Sequence, residues 1–159
     1  MKNETIPTAV KAWSKRFLNQ SQDWNKSFEN IYHTTADNKS REFTFKLLHR
    51  ILVTNQELKR FKIKNEDLCS QCRRADSLEH IFLDCPISIT FYEEIISWFN
   101  QKNKTKITLT NEELLFQNYE LPPSLPPLSR RQLKLLVLLA KNISMHVNLL
   151  THVRIILSL

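Results

Sequence analysis

The sequence predicts an all-α fold: a small multi-helix domain organised around one structural site. Three observations point there. Apolar residues recur at three- and four-residue spacing along most of the chain. Two Thr-x-x-Glu capping boxes, Thr54 with Glu57 and Thr110 with Glu113, mark helix starts. The 159 residues include no glycine, which removes the usual left-handed caps and tight hairpin turns and leaves the connections to Asn, Pro and Ser. Hydrophobic residues make up 42% of the chain, enough for the core of one domain.

Pro7 opens a first helix in which Val10, Trp13, Phe17 and Leu18 recur at helical spacing. A second runs from about Trp24 to Tyr32, with Trp24, Phe28, Ile31 and Tyr32 on one side, and a polar loop follows from Thr34 to Ser40. Asn38 or Ser40 caps the third, whose apolar stripe is Phe43, Leu47, Leu48, Ile51 and Leu52. The fourth starts at Thr54 and turns Leu58 and Phe61 inward. Pro86 opens a helix through about Asn100, with Ile89, Tyr92, Ile95, Ile96 and Phe99 in register, and Thr110 opens a short one carrying Leu114 and Leu115. Leu121 to Pro127 reads as an extended, polyproline-like linker. Ser129 caps a last, leucine-rich helix that runs nearly to Leu159. Lys134, Lys141, Asn142, His146, Asn148, His152 and Arg154 interrupt it, so it reads as packed or partner-binding and not as a membrane span. The expected organisation is a helical module over 8–118, a linker over 119–128 and a C-terminal helix over 129–159 that packs back or docks a partner.

Charge narrows the function classes. The formal net charge is +7, which favours an acidic partner, nucleic acid before an anionic membrane surface. Between Asn38 and Lys64 eight basic residues face only two acids, Glu42 and Glu57. The lack of glycine excludes phosphate-cradling loops and the strained turn that holds a nucleophilic serine. No pair of carboxylates and no nucleophile–base constellation stands out, so neither an enzyme nor a small-molecule substrate is expected. The start, Met1 to Trp13, has no apolar stretch of the kind that directs secretion. Three cysteines, an odd number, do not suit a closed disulfide framework. An intracellular setting, nuclear or cytoplasmic, is the expectation.

All three cysteines lie in one window with a histidine: Cys69, Cys72, His80 and Cys85, in the pattern C-x2-C-x7-H-x4-C. Three thiolates and an imidazole are what a closed tetrahedral Zn²⁺ site takes, and four protein donors leave no open position for catalysis. A CxxC pair aims two sulfurs at one point, and His80 falls on a short helix begun by Asp76 or Ser77. Residues five apart on a continuous α-helix diverge by about 140°. Cys85 must therefore leave the helix of His80 to reach the same ion, and Pro86 pushes it out of helical geometry.

The stretch from Phe43 to Asn55, Leu58, Asp67 to Cys72, and Glu79 to Cys85 resembles the zinc-binding region at the C-terminal end of non-LTR (LINE-type) retrotransposon reverse transcriptases. Trp24, Ile31, Tyr32 and the later Leu139 to Ile143 resemble pieces that flank it, so the likeness spans roughly Trp13 to His146. The resemblance implies Cys69, Cys72, His80 and Cys85 as ligands of one structural Zn²⁺. It also implies a non-catalytic module that helps a polymerase hold template RNA or target DNA. The chain carries no Tyr-x-Asp-Asp motif and no endonuclease part, which reads as a piece of such a polyprotein or a stand-alone remnant, with a reverse transcriptase core as a further partner.

The residues expected to meet phosphates are Arg41, Lys46, His49, Arg50, Lys59, Arg60, Lys62, Lys64, Arg73 and Arg74. Five or six such contacts make binding to RNA or DNA strongly salt-dependent and mostly sequence-tolerant. Phe61, Tyr92 and Trp98 are a second contact class if exposed, because aromatic faces stack bases. Phe43, Phe82 and Phe99 are expected inside, while His33, His146 and His152 show no ligand-like partner. The rival reading is a protein-interaction module in which zinc only stiffens a helical platform.

Overall fold

A computed structural model describes residues 8–17 and 23–146 of the chain. Pro7, Leu18, Asn148, His152, Arg154 and the expected helix beyond residue 146 lie outside the described residues. The elements are α1 (Thr8–Arg16), α2 (Trp24–Thr34), α3 (Asn38–Leu48), α4 (Asn55–Arg60), a π-helical turn (His80–Asp84), α5 (Pro86–Asn103), α6 (Asn111–Phe116) and α7 (Pro127–Met145). Among the described residues there is no strand, only one antiparallel bridge between Leu68 and Ala75. The all-α expectation holds.

Side-chain caps set most of the helix starts. Thr54 accepts from the Glu57 amide, and Thr110 with Glu113 forms the complete reciprocal box. Asp23 caps α2, and Asp37, not Asn38 or Ser40, caps α3 by accepting from the Ser40 amide at 2.8 Å. The last helix starts at Pro127 and not at Ser129. A proline suits this first position because its φ is already helical and its missing N–H would have had no partner.

The helix ends contradict the expectation that a glycine-free chain does without left-handed caps. Arg50, Lys62, Lys104 and Gln117 take positive φ values of 57°, 59°, 49° and 54° just past α3, α4, α5 and α6. After α3 the Arg50 amide donates to Leu47 and the Ile51 amide to Lys46; after α4 the Lys62 amide donates to Lys59 and the Ile63 amide to Leu58. These are paired bonds that close a helix through a left-handed residue. The closure ends α3 at Leu48, four residues before the expected Leu52. Ile51 is consequently exposed, and Leu52 is buried from an irregular segment.

Two apolar clusters make the interior. The first gathers Trp13, Phe43, Leu47, Phe82, Phe116 and their neighbours; the second gathers Tyr92, Ile95, Phe99, Leu133, Val137 and theirs. Trp13 is wholly buried and donates its indole N–H to the Leu48 carbonyl at 3.2 Å. α7 joins the clusters, since Leu138 belongs to the first and Leu133, Val137 and Ala140 to the second. It packs on α5, α3, α2 and the π-turn.

The connection before α7 is not extended. The Leu125 amide donates back to Pro122, the Leu125 side chain is buried, and Arg130 donates to the carbonyls of Leu125 and Pro123. Phe61, expected to turn inward, is exposed just past α4, and two more residues expected in the core are outside it. Tyr32 is exposed because small Ser27 and Thr34 take the buried face of α2 with Ile31, and Ile89 is exposed on α5.

Candidate metal centre

The CxxC segment folds as a small hairpin. Asp76 donates its amide to Asp67 at 2.7 Å, Cys69 donates to Arg74 at 2.7 Å, and Arg73 donates to Cys69 at 3.0 Å. Arg73 turns the chain with a φ of 62°, a conformation usually left to glycine. The hairpin is fastened to the start of α4. The Asn55 amide donates to the buried carboxylate of Asp76 at 2.9 Å, and the Asn55 side chain donates to the Leu68 carbonyl at 3.0 Å. Asn55 and Asp76 are therefore the clamp of the site. The sequence signal for it is the Thr54-Asn55 pair, in which Thr54 starts α4 and Asn55 holds the hairpin.

The other two donors come from the π-turn. Ser77 accepts the His80 amide at 3.1 Å and so starts this segment, as one of the two residues expected to. The Cys85 amide then donates to the His80 carbonyl at 2.7 Å, a bond across five residues. The wider turn brings position five back over position one. Cys85 itself is extended, with φ −73° and ψ 121°, before Pro86. Both devices together solve the divergence of about 140° that an ordinary helix imposes.

The four donor atoms of Cys69, Cys72, His80 and Cys85 all lie within 4.8 Å of one another, and His80 Nε2 is 3.1 Å from Cys72 Sγ. Cys69, His80 and Cys85 are buried and Cys72 is half-buried. Burial pushes the Cys69 thiol up, while the Cys72 and Gln71 amides directed at it oppose that shift. A divalent cation overcomes the burial effect by taking the thiolate directly. Three sulfurs and one nitrogen converging on one point fit Zn²⁺, whose four-coordinate sites use bonds of about 2.3 Å to sulfur and about 2.0 Å to nitrogen. The ion would tie the hairpin, through Cys69 and Cys72, to the π-turn and its end, through His80 and Cys85.

Residues 8–91 match the family described as zinc-binding in reverse transcriptase. The chain belongs to this family. All four donors of the zinc-binding group fall inside the matched stretch, which ends within α5 and is shorter than the likeness read from Trp13 to His146. No curated protein and no solved structure matches the chain. Among the described residues no helix is long and apolar enough to cross a membrane.

The expected phosphate contacts fall into different settings. Arg50 pairs with Glu79 at 2.6 Å and covers the Trp13 ring at 4.3 Å, so the fold already uses it. His49 is half-buried between the rings of Phe28 and Phe45. Arg41 donates to the carbonyls of Thr35 and Tyr32, and Lys46 pairs with Glu42. Lys59 pairs with Asp67, Arg73 with Glu66, and Arg60 loosely with Glu57 at 3.9 Å. Lys64 donates to the neutral Asn55 side chain. Lys62 and Arg74 are exposed and have no ion pair among the described residues. Of the aromatic candidates, Tyr92 is buried, Trp98 is half-buried beside Lys102, and Phe61 is exposed.

Proposed function

We propose that this zinc-binding domain is a non-catalytic module that holds RNA or target DNA for a reverse transcriptase, mainly through phosphates. Zinc supplies rigidity and no reactive position, because four protein donors close its coordination. The observation that carries the reading is the state of the cations beside the metal centre. Lys62, Lys64 and Arg74 stand past α4's end and on the CxxC hairpin with no carboxylate paired to them among the described residues. Such cations release counterions when they meet phosphates. A site of three thiolates needs reduced cysteines, which supports a nuclear or cytoplasmic setting.

Gel-shift titration of the zinc-loaded chain with RNA and DNA, at about 50 and 200 mM salt, tests the reading. Three phosphate contacts give a fall in affinity of roughly tenfold or more over that range. Binding that is absent, or insensitive to salt, favours the zinc-stiffened protein-interaction platform instead. Lys62→Glu with Arg74→Glu should lower affinity and leave the melting temperature unchanged. Arg50→Glu is expected to destabilise the fold itself, since it breaks the Glu79 pair and uncovers Trp13.

A further inference from the structure

We infer that the turn closing α4 is a single-strand site, in which Phe61 stacks an unpaired base while the cations on either side hold the adjoining phosphates. The inference rests on the nucleic-acid reading above and names the form of nucleic acid. Residues 60–64 read Arg60, Phe61, Lys62, Ile63, Lys64, an alternation of cation and apolar side chain. Phe61 and Ile63 are 58% and 68% exposed, and neither belongs to either apolar cluster. A large aromatic and an aliphatic side chain left in water within five residues is a surface with unspent stacking and burial energy.

The occupant follows from charge. Arg60 already lies over the Phe61 ring at 4.9 Å, so a planar cation covers one approach to this aromatic. The CxxC hairpin reaches the last turn of α4, since Lys59 pairs with Asp67. That leaves Lys62 and Lys64, within three residues of the exposed ring and with no ion pair among the described residues, to offer positive charge there. A single strand presents the complement: bases whose faces are free, each flanked by phosphates. A duplex offers the phosphates and keeps its base faces stacked. Lys62 is held at a φ of 59° by the bonds that end α4, so the backbone under the alternating side chains is fixed and not floppy.

The test measures fluorescence anisotropy of labelled 12-nucleotide single-stranded RNA, single-stranded DNA and duplex DNA with the zinc-loaded full chain and with Phe61→Ala. The expected result is a loss of between about fivefold and a hundredfold in single-strand affinity, the range seen for removing one aromatic–base stack, with duplex affinity unaltered. Phe61→Trp should restore single-strand binding. The RNA and DNA arms show which strand benefits, and a Phe61-dependent loss in either supports the site. Unchanged zinc content and melting temperature in Phe61→Ala show that the loss is local. If the parent chain binds nucleic acid and Phe61→Ala binds single strands equally well, or weakens single strand and duplex alike, the stacking site is overturned while the phosphate-binding reading stands. If the parent chain binds no nucleic acid, both fall.

Discussion

At the scale of single residues, the absence of glycine has a measurable consequence. Lys104 sits at φ 49° after α5 and closes the helix by donating to Gln101, with Thr105 donating to Asn100. A left-handed conformation costs a residue with a side chain roughly 1–2 kcal/mol, and glycine's greater freedom in the unfolded chain returns about 0.5–1 kcal/mol of that advantage. Lys104→Gly should therefore stabilise the domain by about 0.5–1 kcal/mol, read from the urea midpoint. Lys141 is the opposite case, a cation taken out of water. Its side chain is buried on α7, its ammonium donates to the Leu115 carbonyl at 2.9 Å, and burial lowers its pKa to about 7. Above that value the folded chain holds a neutral amine while the unfolded chain keeps its proton up to about 10.4. The unfolded state then binds more protons, so stability rises with pH between about 7 and 10. Below about pH 7 both states are protonated, and this contribution is lost. Lys141→Met should flatten that slope in melts recorded with zinc in excess, and an unchanged slope would assign it to other groups.

At the scale of elements, the metal centre depends on two pieces, a clamp and a turn. One is the clamp in which Asp76 holds the amide of Asn55 and Asn55 holds the Leu68 carbonyl. Asp76→Ala removes a buried acceptor and loosens the hairpin's hold on α4. Groups that orient metal ligands are typically worth one to two orders of magnitude in metal affinity, and a fall of that size is expected in competition with a chelator. The other piece is the π-turn, where one extra residue per turn lets His80 and Cys85 share a site. Deleting one residue between them, for example Asp84, leaves the two donors four apart, a spacing that an ordinary helical turn places on one face, so the tetrahedral Co²⁺–thiolate spectrum should persist without the π-turn. The ligand spacing was legible from the sequence. The way the fold spans x4 was legible only in half: Pro86 announces the extended Cys85, but nothing in residues 80–84 announces a π-turn, because the choice between i→i+4 and i→i+5 bonding is made by what the turn must reach.

At the scale of the whole molecule, zinc and α7 hold the same interior from two sides. The π-turn buries Ile81, Phe82 and Leu83 in the first cluster, and α7 packs on it with Leu138. The family match stops at residue 91, yet the core it needs is completed by residues after 126. Cys72→Ser or His80→Ala should unfold the domain and not merely weaken a ligand contact, because binding free energy of a structural zinc is also folding free energy. Circular dichroism of these variants and of the parent with excess chelator checks it. A chain truncated after Pro126 should likewise fail to melt cooperatively even with zinc present.

The sequence by itself determined the helical class, three of the helix starts, and the four donors of the metal centre. Each of these is written in local chemistry: a Thr-x-x-Glu box, a proline at a first turn, thiols and an imidazole at fixed spacing. It also marked the charged segment from Asn38 to Lys64. Only the tertiary structure decided which of those charges remain free. Arg50 and His49 lie off the apolar stripe of α3, but the chain reverses after Leu48 and turns them against Trp13, Phe28 and Phe45. Tyr32, Ile89 and Phe61 have core spacing and are nevertheless exposed, because a helix records its own periodicity and not which of its faces a neighbour will cover.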